Sequence, residues 1–403
     1  MVDIVVDFGG TFLNRTGTNK DIIQLTDNRF VAVGIDTSNV LRAAIIDFTD
    51  FKTSDAYTVT IVKVLSNTGN DDIEQVYVQK LSSSKAVVFH GTAYIVLDIQ
   101  LNDIVEIISS VLPFLGTTSV NSNAFLNTDA PHATSFFTKY IRDNVICFID
   151  ERNLSGNYWS NTYTLTFNTS NNTVNITAEL SNAVYTRSIS IPKIYNIEVI
   201  DDNNFIVNQL GYASTNLVNY ISYNIDRCEL FYYDNLAWQV RSISPPVNET
   251  MNISYNSSNN EIYFLLDLAE IYRGVLDSRI EPVYTLVNEP AFNQVISGSN
   301  NFFANNQTRI SNFLNLDDVY YLVGYYNTRL SGSLWNAGYT MLKRMDNRWY
   351  QIEDYNNSSI GNIILKREAF IKFSNELVTF YGYIDQNGSE MTFPIQRIYA
   401  PNI

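Results

Sequence analysis

The chain repeats one pattern of apolar and polar positions. A strand-like alternating run is followed by two or three polar turn residues and then a second run rich in Val, Ile, Phe and Tyr. It reads IIQLTDNRFVAVGID over 22–36, YVQKLSSSKAVVFHG over 77–91, FTKYIRDNVICFID over 137–150 and YNIEVIDDNNFIVNQ over 195–209. It returns as MNISYNSSNNEIYFLLDL at 251–268, RISNFLNLDDVYYLVGYY at 309–326 and AFIKFSNELVTFYGYID at 369–385. With the turns placed at Asn28, Ser84, Asn144, Asn203, Asn260, Asp318 and Asn375, the period is about 58 residues. Two further β-like runs usually follow each hairpin, as in VLRAAIIDF (40–48) and AYTVTIVKVL (56–65), or YWSNTYTLTF (158–167) and NTVNITAEL (172–180).

Four strands in about 50–60 residues is the unit of a β-propeller blade. A lone four-stranded sheet cannot bury both faces, but radial stacking covers each face with a neighbour. The pattern therefore predicts an all-β chain, a seven-bladed β-propeller of four-stranded blades forming one domain over 1–403. The seventh repeat supplies only three strands, and the run VDIVVDF at 2–8 belongs to no hairpin. That run is predicted to be the outer strand of the last blade, closing the ring and removing two exposed edges. Stretch 113–135 reads as a long polar connection, and 271–303 holds fewer clean strand alternations with room for loop excursions; binding residues often lie in such loops.

Composition narrows the function. Asn is unusually common, at 49 residues, beside 27 Tyr and 23 Phe. Asn suits tight turns and the aromatics suit half-buried strands. With this much Asn, Ser and Thr, sequons such as Asn168-Thr169-Ser170, Asn252-Ile253-Ser254 and Asn387-Gly388-Ser389 arise by chance. A net charge of −15 argues against nucleic acid as a partner, because phosphate binding needs clustered cations. No apolar run reaches about 18 residues, so no membrane insertion is expected. MVDIVVDFGG lacks the form of a secretory signal. The two cysteines, Cys147 and Cys228, sit in apolar contexts and read as reduced, partly buried thiols. Any His-based metal site or catalytic triad would have to use His90 or His132, the only imidazoles. No cofactor and no metal is expected.

Several motifs suggest chemistry and lack its partners. VDIVVDFGGTFLNRTG resembles the first phosphate motif of actin-like sugar kinases, in which Asp7, Gly9, Gly10 and Thr11 would approach metal and phosphate. The second acidic loop and the adenosine loop of that fold are missing. Asp7-Phe8-Gly9 likewise lacks a catalytic H-R-D loop. Asp71-Asp72, Asp201-Asp202 and Asp317-Asp318 lack calcium-loop spacing and read as solvated turn or loop residues. Four tryptophans, Trp159, Trp238, Trp335 and Trp349, stand beside polar neighbours. Exposed rings of this kind stack on sugar faces or anchor partners, whereas buried ones pack blade against blade. Trp335 and Trp159 are the candidate ligand-binding residues; no catalytic residue is identified.

The hairpins, such as LTDNRFVAVGID, together with the Asn- and Tyr-rich, Cys-poor composition, resemble the propellers of bacteriophage tail and receptor-binding proteins. The resemblance is diffuse and brings no site residues with it. It implies a virion structural protein, made in the host cytoplasm, that is tail-associated or surface-exposed and takes part in assembly or attachment. The expected partners are other virion proteins and a host-surface glycan, with self-association in the assembly left open. Two alternatives stand beside it: a polysaccharide-active hydrolase or lyase on the same scaffold, and an intracellular protein-binding scaffold.

Overall fold

The computed structural model describes residues 2–7, 20–35, 40–66, 76–90, 93–111, 136–154, 157–179, 183–186, 194–211, 225–243, 250–266, 271–275, 287–288, 308–316, 319–327, 337–346, 348–356, 363–374, 377–384 and 392–399. The chain begins with β1 (Val2–Asp7). Blade 1 holds β2 (Lys20–Thr26), β3 (Arg29–Ile35), β4 (Leu41–Phe48) and β5 (Tyr57–Val64). Blade 2 holds β6 (Val76–Ser82), β7 (Lys85–His90), β8 (Ala93–Ile99) and β9 (Ile104–Val111). Blade 3 holds β10 (Phe136–Arg142), β11 (Val145–Leu154), β12 (Asn157–Asn168), β13 (Thr173–Glu179) and β14 (Ala183–Thr186). In blade 4 these are β15 (Ile194–Asp201), β16 (Asn204–Gly211), β17 (Ile225–Asp234) and β18 (Ala237–Ile243). Blade 5 has β19 (Thr250–Asn256), β20 (Glu261–Leu266), β21 (Ile271–Val275) and β22 (Val287–Asn288), and blade 6 has β23 (Thr308–Asn315), β24 (Tyr320–Asn327), β25 (Ala337–Met345) and β26 (Arg348–Asn356). The last three strands are β27 (Ile363–Ser374), β28 (Leu377–Ile384) and β29 (Thr392–Tyr399).

Each expected repeat forms one antiparallel meander, giving seven sheets among the described residues. The first strand of each sheet packs on the first strand of the next, from β2 and β6 through to β23 and β27. This is the arrangement of a β-propeller. The predicted closure is present: β1 pairs antiparallel with β29, from Val2 opposite Arg397 to Asp7 opposite Thr392, and becomes the outer strand of the last sheet. One expectation needs correction. Blade 3 has five strands rather than four, because β12 is long enough for β13 and β14 to share its outer edge.

The seams show why one sheet needs its neighbours. Alternate residues of blade 1 (Val31, Val33, Ala43, Ile45) cluster with Val76, Val78, Val88, Ile95 and Leu97 of blade 2. On the opposite face Phe30, Ala32, Ala44 and Ile46 are equally buried, so that side is covered too, as ring closure requires. Tyr77 and Phe89 of blade 2 meet Ile146, Phe148 and Leu165 of blade 3. Burying each such large apolar side chain contributes about 1.5–3 kcal/mol. Cys147 lies in the seam between blades 3 and 4 and Cys228 in the seam between blades 4 and 5. Both are buried thiols outside any disulfide, in the two seams on either side of blade 4.

A β-bulge recurs one residue before the end of the first strand. Pairing skips Leu25, Leu81, Ile141, Ile200 and Phe373. A bulge turns its extra residue off the regular pleat and bends the strand. Here it places Leu25, Leu81, Ile141 and Ile200 in the seam with the following blade. The turns beside the bulges are also reused. The carbonyls of Asn28, Ser84, Asn144 and Asn203 each accept an N–H from their own blade, from Phe48, Ile99, Phe167 and Tyr233 at 2.7–2.9 Å. Asn144 (φ 62°) and Asn260 (φ 57°) take the left-handed conformation that Asn tolerates at a turn. Polar side chains also link neighbouring first strands. Asp21 accepts from the Val78 N–H at 2.9 Å, Gln79 donates to the Thr138 carbonyl at 3.2 Å, and Glu198 accepts from the Tyr255 N–H at 2.7 Å.

Candidate functional site

In an antiparallel meander the first and third turns of every blade fall at the same end of the sheet. One face of the propeller, called here the short-turn face, therefore collects the first and third turns, and the other face collects the second turns and the connections between blades. On the short-turn face, the tips between third and fourth strands carry large apolar side chains in blades 2, 4 and 6. Leu101 is 73% exposed, Leu236 88% and Met345 48%. Each stands beside an exposed carboxylate: Asp103, Asp234 and Asp346. Asp27, Asp143 and Asp202 add exposed carboxylates at the inner turns. Two arginines beside these turns are engaged within the fold. Arg29 pairs with Asp47 at 2.6 Å, and Arg142 lies 4.6 Å from the Tyr233 ring and 5.6 Å from the Trp238 ring while donating to Asn203.

Leu236 is also strained. In the hairpin Asp234-Asn235-Leu236-Ala237, both central residues have positive φ, 48° and 65°. That turn geometry favours Asn followed by Gly, and a leucine in the left-handed region costs about 1–2 kcal/mol. Leu236→Gly is expected to raise folding stability by about 1 kcal/mol, read as a higher urea midpoint at unchanged slope.

The structure sorts the residues singled out in the sequence. Trp335 and His132 lie outside the described residues, as do Asp71, Asp72, Asp317 and Asp318. Trp238 and Trp349 are buried in seams and pack between blades. Trp159 falls on β12, opposite Arg152 of β11 and Val184 of β14. There blade 3 runs past the first residue of β10, Phe136, whose partner is Asp150. Trp159 thus sits on a three-stranded extension, formed where β11 and β12 continue for four residues beyond the inner strand. His90 is buried on β7. Asp201 is a turn residue, accepting from the Asn203 N–H and from Asn204 at 2.8 Å each. Among the described residues, no group of three His, Cys, Asp or Glu side chains could hold a metal, and no helix is long and apolar enough to cross a membrane.

One cluster of ionisable groups was not foreseen. At the seam of blades 5 and 6, Glu261 accepts hydrogen bonds from Tyr263, Asn259, Arg273 and, across the seam, Arg344 at 3.2 Å. The Arg344 guanidinium lies 5.3 Å from the Tyr263 ring and 5.9 Å from that of Trp349. Phe313, Tyr321 and Trp349 of blade 6 pack edge-on around Tyr263. Burial alone would push the Glu261 carboxyl up. Hydrogen bonds from Tyr263 and Arg273 and the charges of both arginines outweigh it and hold the carboxyl below the ordinary glutamate value. Burial, then the neighbouring Tyr321 and the bond to Glu261, drives the Tyr263 hydroxyl strongly upward. A fully buried phenol that resists ionisation is a poor nucleophile, and both carboxylate oxygens are occupied. The cluster fastens two blades together.

No known protein family matches the sequence, and no curated protein matches it. Among solved structures, the chain is similar to Sqt1 of Saccharomyces cerevisiae, with 8% identity and a TM-score of 0.42 over 99% of this chain and 98% of that one. It is similar to YCF48 bound to a D1 peptide, with 9% identity and a TM-score of 0.49 over 98% and 97%. The WD40 domain of SCAP from fission yeast aligns with 8% identity and a TM-score of 0.41 over 96% and 88%. At these scores the assignment to the β-propeller architecture rests on the chain's own sheet order and closure.

Proposed function

We propose that the protein is a binding scaffold that holds partner proteins on the short-turn face of its propeller. The observation that carries this reading is the set of apolar tips, Leu101, Leu236 and Met345, on blades 2, 4 and 6 of one face. Solvent-exposed leucines at hairpin tips gain nothing for the fold, and Leu236 is strained as well. Apolar anchors of this kind fill pockets on a partner, and the exposed carboxylates beside them favour a partner with a basic rim. The triple variant Leu101→Asn, Leu236→Asn, Met345→Asn keeps turn-compatible residues and removes the anchors. Quantitative affinity purification with cross-linking is expected to show at least about tenfold loss of the partners that cross-link to this face. Undiminished recovery of those partners would overturn the reading.

A second reading rests on the extension of blade 3 that carries Trp159. A propeller with a projecting arm suits attachment at a surface, including a glycan face that Trp159 or Trp335 would stack on. The resemblance of its hairpins to phage tail propellers supports a setting in a virus particle, beside other virion proteins, as part of this reading. Mass spectrometry of purified particles tests that setting. Absence from particles removes the virion role and leaves the scaffold within the cell.

A further inference from the structure

We propose that the outer strand of blade 1 is a self-association surface, and that two copies of this chain meet there, β5 antiparallel to β5 across a two-fold axis beside Val62. Burial alternates strictly along β5, leaving Thr58, Thr60, Val62 and Val64 in solvent. Val62 is 46% exposed and Val64 52%, an adjoining pair on one side of one strand. β5 ends its sheet, so among the described residues its outer backbone edge has no further strand of that sheet beside it.

Outer strands usually discourage pairing with charged side chains, prolines or bulges. β5 contains one charged residue, Lys63, and its ammonium is drawn away to Asp103 and the Ile104 carbonyl of blade 2. The outer strand of blade 2, in contrast, keeps Glu106 within its sequence. β5 does carry a bulge, at Thr60, where pairing passes from Ile61 to Val59. That bulge leaves Ile61–Val64 as the regular segment, and the proposed axis lies within it. With Val62 opposite Val62, Thr60 opposes Val64 and Lys63 opposes Ile61, so no like charges face each other.

Charge selects the occupant. The molecule carries −15, and two copies repel over most of their surface. The exposed residues of β5 carry no charge, and the Asp47 carboxylate that accepts from Thr60 beside them is paired with Arg29 at 2.6 Å, so this surface is close to neutral and complements itself. A basic partner would find nothing to pair with on this strand. The strand spans about 26 Å at roughly 3.3 Å per residue. Its exposed side falls short of the roughly 800 Å² per partner of a stable interface, so the dimer is reversible.

Sedimentation equilibrium on the purified chain tests this. The wild type is expected to shift from monomer towards dimer with concentration, and further so as added salt screens the net charge. Val62→Lys and Val64→Lys are expected to hold the protein monomeric throughout, while Ile352→Lys, at an exposed position on β26 of blade 6, leaves the shift unchanged. Val62→Cys adds an independent readout. Because Cys147 and Cys228 are buried, oxidation should yield a dimer linked through position 62 alone. A wild type that stays monomeric up to about millimolar concentration, where an association even this weak would register, overturns the proposal. So does a dimer that survives both lysine substitutions, or one that Val62→Cys does not cross-link.

Discussion

Glu261→Ala is expected to remove about 3–5 kcal/mol of folding stability, the largest effect of any single substitution proposed for this chain. The cost comes less from losing hydrogen bonds than from what remains. Arg273 and Arg344 would stay in the seam as two cations without their shared carboxylate. Glu261→Gln keeps the shape and some of the hydrogen bonds but not the charge, and should fall between alanine and wild type. Urea unfolding of the three proteins checks the order. Equal midpoints would show that the seam is held by Tyr263, Phe313, Tyr321 and Trp349 alone. The same contact sets an acid limit. The folded-state carboxyl lies below its ordinary value of 4.5, so its contribution is complete above that value and is lost as pH falls through the lower folded value. The wild type should therefore lose stability relative to Glu261→Gln only below about pH 4.5, and the two should converge in strong acid.

This cluster was not visible in the sequence, for a plain reason. Glu261 follows an asparagine-rich turn and looks like a solvated hairpin residue, and its partner across the seam is 83 residues away. A periodic pattern shows which residues share a blade face, but not which side chain crosses to the next blade. The tryptophans teach the same lesson. NRWYQ and LAWQV look alike to SLWNAG in local polarity, yet Trp349 and Trp238 are buried because their strands place them in seams. The architecture was more legible. Turn chemistry at Asn28, Ser84, Asn144, Asn203 and Asn260 marked real turns, while Asp318 and Asn375 lie outside the described residues. The unpaired run starting at Val2 found its place over Val2–Asp7 because a three-stranded last repeat left β29 with an open edge. The fifth strand of blade 3 was missed because AVYT, at 183–186, is too short to announce itself.

Leu81→Ala should cost about 2–5 kcal/mol, whereas Ser84→Gly, three residues on at the visible turn, should change stability by less than about 1 kcal/mol. The contrast separates the residues that mark the repeat from those that hold it. Ser84 is exposed and supplies a carbonyl to Ile99, a bond that any residue offers through its backbone. Leu81 acts twice. Its bulged position drives the side chain into the cluster with Ile146, Phe148 and Leu165 of blade 3, and its carbonyl accepts the Asn144 N–H of that same blade at 2.8 Å. Truncation to alanine leaves the backbone bond in place and opens a cavity in a seam whose walls are two separate sheets. Leu25, Ile141 and Ile200 occupy the same position in their own blades, so parallel substitutions to alanine should each be costly. Thermal and urea unfolding of the four variants measure it. Losses near 0.5 kcal/mol, the usual range for surface changes, would mean that the bulge only shapes the turn and that the seams are held by the second and third strands. Losses in the cavity range would identify one apolar residue in each of blades 1 to 4 as the link that carries the repeat from sheet to sheet.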